Sequence, residues 1–139
     1  MNIKIQKKDF KIDEEVNSIK KKYSNIGAVS TFIGYVRNNN ENKTVRSIEL
    51  EVYKEMAVES LSSICKKAKK KWNLIDTLVI HRYGKLKINE KIVLVATFAK
   101  HRKDSSLSCE FIMDYLKKDA PFWKKEFYNE ESSWLQNTS

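Results

Sequence analysis

The run Lys91-Ile92-Val93-Leu94-Val95-Ala96-Thr97-Phe98-Ala99 constrains this chain more than any other stretch. It is almost continuously apolar and does not alternate, so it reads as a strand buried on both faces, central in a sheet that helices cover. With 139 residues, 41% of them hydrophobic, the chain suits a single domain spanning 1–139. Strands are expected at 2–6, 28–36, 45–53 and 77–83, and helices at 12–23, 55–72 and about 105–118. In the strand Val45 to Tyr53, Ile48, Leu50 and Val52 alternate with Ser47, Glu49 and Glu51, which is an antiparallel signature with one wet face. Asn38 to Lys43 is a polar connection of hairpin length between that strand and the one before it. In the helix Glu55 to Trp72, the residues Ala57, Leu61, Ile64, Cys65, Ala68 and Trp72 form one stripe. Gly84 to Glu90 reads as a turn region and 127–139 as a polar aromatic tail. The order predicts an α+β fold with helices packed on a mainly antiparallel sheet.

Where the apolar run ends, the chain changes character. His101-Arg102-Lys103-Asp104 leads into a helix, with Asp104, Ser105 and Ser106 as candidate N-caps and Pro121 as its stop. Two cationic residues thus sit beside a helix N-terminus, whose free N–H groups favour an anion. Leu107, Phe111, Ile112 and Tyr115 share an expected apolar face, and Lys117, one turn after Met113, stands at its border. Lys124 follows in an aromatic setting made by Phe122 and Trp123. A lysine partly stripped of water holds its proton less firmly, which is how lysines come to act as acids, bases or nucleophiles.

The formal net charge of +9 points to an anionic partner, although lysine is abundant even where no site is plausible, as at Lys66 to Lys71. No run of about 18 apolar residues is present to span a membrane, and the N-terminus lacks the apolar core of a secretory signal. Cys65 and Cys109 match no zinc or CxxC spacing and read as buried thiols of a cytoplasmic protein. The three glycines, Gly27, Gly34 and Gly84, stand singly, so there is no glycine-rich phosphate loop, and no His/Cys/Asp cluster has metal spacing. His81, inside an apolar strand, reads as structural. Arg37 ends a strand where its guanidinium is able to hold a phosphate. Read from residues alone, the chain carries a cationic pocket for an anionic small molecule, built from lysines and His101. A basic nucleic-acid-binding α+β domain is the alternative, suggested by the charge and 11% aromatic content, but without an RRM, KH or OB signature.

Several ordered blocks resemble the catalytic, or large, subunit family of molybdopterin synthase. They are Gly27-Ala28-Val29-Ser30-Thr31-Phe32-Ile33-Gly34-Tyr35-Val36-Arg37-Asn38, Leu50-Glu51-Val52-Tyr53 with Met56, Ile80-His81-Arg82-Tyr83-Gly84, and the stretch from His101 through Phe111-Ile112-Met113-Asp114-Tyr115-Leu116-Lys117 to Ala120-Pro121-Phe122-Trp123-Lys124-Lys125-Glu126. The core of the resemblance is 27–126. It implies an α/β-hammerhead-like fold and the conversion of cyclic pyranopterin monophosphate to molybdopterin in molybdenum cofactor biosynthesis. The sulfurs would come from the C-terminal Gly-Gly thiocarboxylate of a small ubiquitin-like partner, with two large subunits forming a homodimer inside a heterotetramer. No metal, cofactor, nucleic acid or membrane is implied. By position, the resemblance makes Lys117 and Lys124 catalytic; Arg37, His101 and Arg102 would surround pterin and phosphate, and Phe32 and Met113 would form apolar walls. The chain departs from the family pattern at Ser105-Ser106, where Ala-Phe is common, at Asn39, often histidine, and at Ser133, where some members carry arginine before the residue matching Trp134.

Overall fold

The computed structural model describes residues 1–40, 43–128 and 132–136. Its elements are β1 (Asn2–Gln6), α1 (Ile12–Lys20), β2 (Ala28–Tyr35), β3 (Asn39–Asn40), β4 (Lys43–Val52), α2 (Lys54–Trp72), β5 (Asp76–Arg82), β6 (Gly84–Lys87), β7 (Lys91–Ala99), α3 (Arg102–Lys118), β8 (Phe122–Tyr128) and β9 (Ser132–Gln136). One sheet has the order β1-β5-β7-β2; β1 runs parallel to β5, and the other pairs are antiparallel. The second is built on β4, which pairs with β3, β6 and β8, while β9 extends β8.

The central place expected for the apolar run is where β7 lies, between β5 and β2. Its alternate residues serve two different cores. Leu94, Ala96 and Phe98 join Leu78 and Ile80 of β5 under α1, packed with Phe10 and Ile19. Val93, Val95 and Ala99 join Val79 on the opposite face, beneath α2 and α3. The predicted stripe of α2 is buried there from Ala57 to Ala68, and Trp72 meets Phe111 of α3 edge-on at 5.2 Å. Asn73, in the left-handed region at φ 51°, closes α2 with its N–H on the Lys69 carbonyl.

Three sequence expectations change. The strands before and after Asn38 to Lys43 do not form a hairpin with each other: β2 pairs with β7, and β4 with β6 and β8, in different sheets. Neither the region after Gly84 nor the tail is free of strand: the first supplies β6 to β4, and the tail holds the end of β8 and all of β9, which extends β8; residues 129–131 and 137–139 of the tail lie outside the described residues. Third, α3 begins at Arg102, with His101 as its N-cap and no side-chain cap. Its buried side is Ser105, Ser108, Cys109, Ile112 and Leu116, whereas Leu107 is exposed. Hydrogen bonding rotates the helix this way. Thr97 Oγ1 and Ser108 Oγ donate to the Ser105 carbonyl at 2.6 and 3.1 Å, and Ser105 Oγ donates to the Arg102 carbonyl at 2.9 Å. With its proton committed, Ser105 Oγ takes one from Ser30 Oγ at 2.8 Å, so serines clamp α3 against β2 and β7.

The two sheets are joined where β5 runs directly into β6. Gly84 makes that bend at φ +89°, a backbone that side-chain-bearing residues resist. Just before it, Arg82, 6% exposed, donates from Nε to the Lys7 carbonyl and from Nη1 to the Lys91 carbonyl, both at 3.0 Å, and meets Glu90 at 3.3 Å. Arg82→Ala leaves both carbonyls without this donor and removes the tie between β5, β7 and the Lys7–Phe10 segment. Chemical denaturation is expected to show a loss of about 2–4 kcal/mol. A loss under 1 kcal/mol would mean that this clamp does not hold the junction.

Candidate functional site

A cavity of about 360 Å³ opens where the first sheet, the C-terminal half of α3 and the β4–β8 ladder meet. Its floor is one level of the first sheet. His81 of β5 is in register with Val93 of β7, and Val93 with Gly34 of β2. At Gly34 a Cβ would stand 3.0 Å from Val93 Cγ1 and 3.5 Å from the Phe32 ring, so the glycine lets those side chains close over the backbone there. Phe32, two residues earlier on the same face, forms one apolar wall and Met113 of α3 another. Ile48 and Leu50 of β4 and Phe122 of β8 line the opposite side.

Charge enters from three elements. Lys117 comes from α3, one turn beyond Met113, and is exposed at the mouth beside Asp114. Arg37 follows β2. Lys124 and Glu126 sit deeper on β8, opposite Leu50 and Ile48 of β4. Alternation along that strand turns Phe122, Lys124 and Glu126 to the same face. Lys124 Nζ is 3.9 Å from Glu126 Oε2, with side chains only 13% and 4% exposed. Burial pushes the Lys124 amine below its ordinary value; Glu126 opposes the shift, and Arg37 adds to it. Trp123 lines the cavity as well, and Tyr53 meets its ring edge-on at 5.0 Å.

Of the seven residues singled out from sequence, five line this one cavity: Phe32, Arg37, Met113, Lys117 and Lys124. His101 and Arg102 do not. They stand exposed at the N-terminus of α3, and Lys117 lies sixteen residue steps beyond His101, about 24 Å of helix at 1.5 Å per residue. Sequence reasoning missed Glu126 and Gly34 as parts of the cavity lining. It also read His81 as structural only. His81 is indeed buried, stacked on Phe122 with centroids 3.7 Å apart at 19°, yet it lines the cavity too. The one available signal was position: His81 precedes a buried arginine at a sheet junction.

Neither cysteine lines the cavity. Cys65 and Cys109 are buried, and burial pushes both thiols up to about 11, so neither is a ready thiolate. Among the described residues no group of three or more His, Cys, Asp or Glu side chains is arranged to hold a metal ion, and no helix is long and apolar enough to cross a membrane. What the cavity offers is two amines and a guanidinium above apolar walls, an arrangement that stabilises negative charge.

The causes of the Lys124 shift give a test with two signs. In a titration of ¹³C-methylated lysines, Lys124 should lose its proton below the ordinary lysine value of 10.5. Glu126→Gln should move it further down and Arg37→Ala should move it up. Shifts of the same sign in both variants would contradict this electrostatic arrangement.

Comparison with known proteins agrees with this geometry. Residues 5–119 match the family described as MoaE protein. The molybdopterin synthase catalytic subunit of Ralstonia nicotianae is 45% identical over 133 residues, 96% of this chain and 76% of that protein. Its Vibrio cholerae counterpart is 42% identical over 135 residues, 97% of this chain and 89% of that protein. Among solved structures, the molybdopterin biosynthesis MoaE protein from Burkholderia ambifaria superposes with a TM-score of 0.86 at 41% identity, covering 99% of this chain and 90% of that one. Molybdopterin synthase from Staphylococcus aureus gives 0.86 at 29% identity, with 95% of each chain covered. The α+β fold, the cavity and these likenesses converge: the chain belongs to the MoaE protein family, the catalytic subunits of molybdopterin synthase in molybdenum cofactor biosynthesis.

Proposed function

We propose that the chain is a sulfurtransferase that converts cyclic pyranopterin monophosphate to molybdopterin, taking both sulfurs from the C-terminal Gly-Gly thiocarboxylate of a small ubiquitin-like partner. The observation that carries this reading is the meeting of Lys117, Lys124 and Arg37 in one cavity walled by Phe32 and Met113. A sulfur-inserting enzyme whose cysteines are buried away from its cavity needs a nucleophile from elsewhere, and a thiocarboxylate delivered on a flexible tail is one. A two-subunit assembly has a parallel in the fold: a structure of subunits 1 and 2 of molybdopterin-converting factor from Helicobacter pylori, 21% identical, superposes with a TM-score of 0.80.

The residues divide the work by depth. Lys117, at the mouth, is where an incoming tail arrives first, and its amine neutralises the thiocarboxylate beside the terminal glycine. Lys124, deeper and holding its proton less firmly than an ordinary lysine, moves protons as the substrate carbon accepts sulfur. Arg37 takes the phosphate, whose charge grows as the cyclic ester opens. Phe32 and Met113 hold the flat ring system. His101 and Arg102, too far along α3 for the pocket of their own chain, are assigned to the pocket of a second copy in a homodimer, where they meet the substrate's anionic end.

Reconstitution with a thiocarboxylated partner and the cyclic pyranopterin tests this reading through the dithiolene product. Lys117→Ala should abolish product with the fold intact, and Lys124→Ala should lower turnover far more than partner binding; near-normal turnover in either variant contradicts the assignment. Co-expressing Lys117→Ala with His101→Ala should restore about a quarter of wild-type activity, because half of the dimers are then mixed and each has one intact pocket. No recovery would place His101 and Lys117 in the same pocket, and a His101→Ala protein that is fully active by itself would place His101 outside the site.

A further inference from the structure

We propose that His81 is a substrate-binding residue of this cavity, its Nε2 lone pair accepting an N–H from the heterocycle of the pterin substrate; this rests on the reading above. The ring is fixed in place and in tautomer. It stacks on Phe122 with centroids 3.7 Å apart, and Nδ1 lies 2.8 Å from the Arg82 carbonyl. A carbonyl only accepts, so Nδ1 carries the hydrogen and the neutral ring keeps its lone pair on Nε2. Burial pushes the imidazole down to about 4, so the ring is an acceptor throughout the physiological range.

His81 is only 8% exposed and lines the cavity, and its Nε2 has no partner among the described residues. An acceptor on the cavity lining is free to take a donor from the ligand. The rest of the cavity explains why such an acceptor matters. Arg37, Lys117, Lys124 and the Trp123 indole only donate. Glu126 faces the Lys124 amine at 3.9 Å, and Asp114 is exposed at the mouth. A pterin ring carries an amide N–H and an amino group along one edge, which call for acceptors, and His81 is a neutral acceptor held at a fixed orientation on the cavity lining. His81 lies on the floor in register with Val93, and Val93 with Gly34.

Two variants separate binding from packing. His81→Phe keeps an aromatic ring against Phe122 and removes the acceptor; His81→Gln sacrifices the stack and retains an acceptor at similar reach. In the reconstituted assay, His81→Phe should raise KM for the pterin about 10-fold while KM for the partner stays unchanged, and His81→Gln should recover most of that loss. A folded His81→Phe with wild-type pterin KM, or a His81→Gln no better than His81→Phe, overturns the proposal. If His81→Phe does not fold, ¹⁵N NMR of the wild-type protein decides. Adding the pterin should move the His81 Nε2 resonance upfield, as an accepted hydrogen bond does, and leave Nδ1 in place; an unmoved Nε2 overturns the proposal. A wild-type protein that makes no dithiolene with a competent partner contradicts the parent reading instead, and the same NMR titration still decides the role of His81.

Discussion

The antiparallel pairing of β8 with β4 is the constraint on which the site depends. From Val52↔Phe122 to Ile48↔Glu126, this ladder turns the chain back after α3 and lays Lys124 and Glu126 across from α3's own lysine. Phe122 anchors its start, fully buried between the His81 ring and the core beneath α2 and α3. Burial of such a side chain contributes about 1.5–3 kcal/mol, which helps offset the penalty of drawing an amine partly out of water next to it. Strand hydrogen bonds and one buried aromatic ring thus hold a charge in a place that it would not choose by itself.

The electrostatics of the cavity follow from that forced placement. An opposite charge about 4 Å away, in surroundings partly stripped of water, favours the protonated amine. Glu126 supplies such a charge to Lys124, yet the amine still holds its proton less firmly than in water, because burial and the Arg37 guanidinium outweigh the carboxylate. An empty cavity is therefore short of negative charge. A phosphate or thiocarboxylate entering it meets cations that gain by its arrival, and the proton on Lys124 becomes more secure as the anion binds. In the proposed reading, binding and proton control are thereby coupled through one amine.

Much of this was legible in the sequence, and the exceptions have physical causes. The central position of β7 and the buried stripe of α2 followed from periodicity, because one kind of side chain filled each face. The orientation of α3 did not, because its buried side is partly serine: Ser105 and Ser108 are satisfied by hydrogen bonds that hydrophobicity cannot report. Around Asn38 a short hairpin does form, between β3 and β4, but the long strand β2 pairs with β7 in the other sheet, and loop length carries no information about that. β8 was hidden for a related reason. Its alternation of Phe122, Lys124 and Glu126 puts charge on an inward face, the opposite of the usual pattern, and only a functional cavity makes that stable. The ordered motif blocks singled out the two lysines, Arg37, Phe32 and Met113, and the fold gathers all five. It leaves His101 and Arg102 at the far end of the helix that carries Lys117.

The central claim is that the amines of Lys117 and Lys124 face one cavity and that the pterin occupies the space between them. Limited amine modification with a short, rigid bifunctional aryl fluoride, read by peptide mass spectrometry with and without saturating cyclic pyranopterin, tests it most directly. The account predicts a Lys117–Lys124 cross-link in the free protein that disappears when the substrate is bound, while modification of the exposed lysines on α2 is unchanged. A Lys124 that reacts equally with and without substrate, or never links to Lys117, would contradict it.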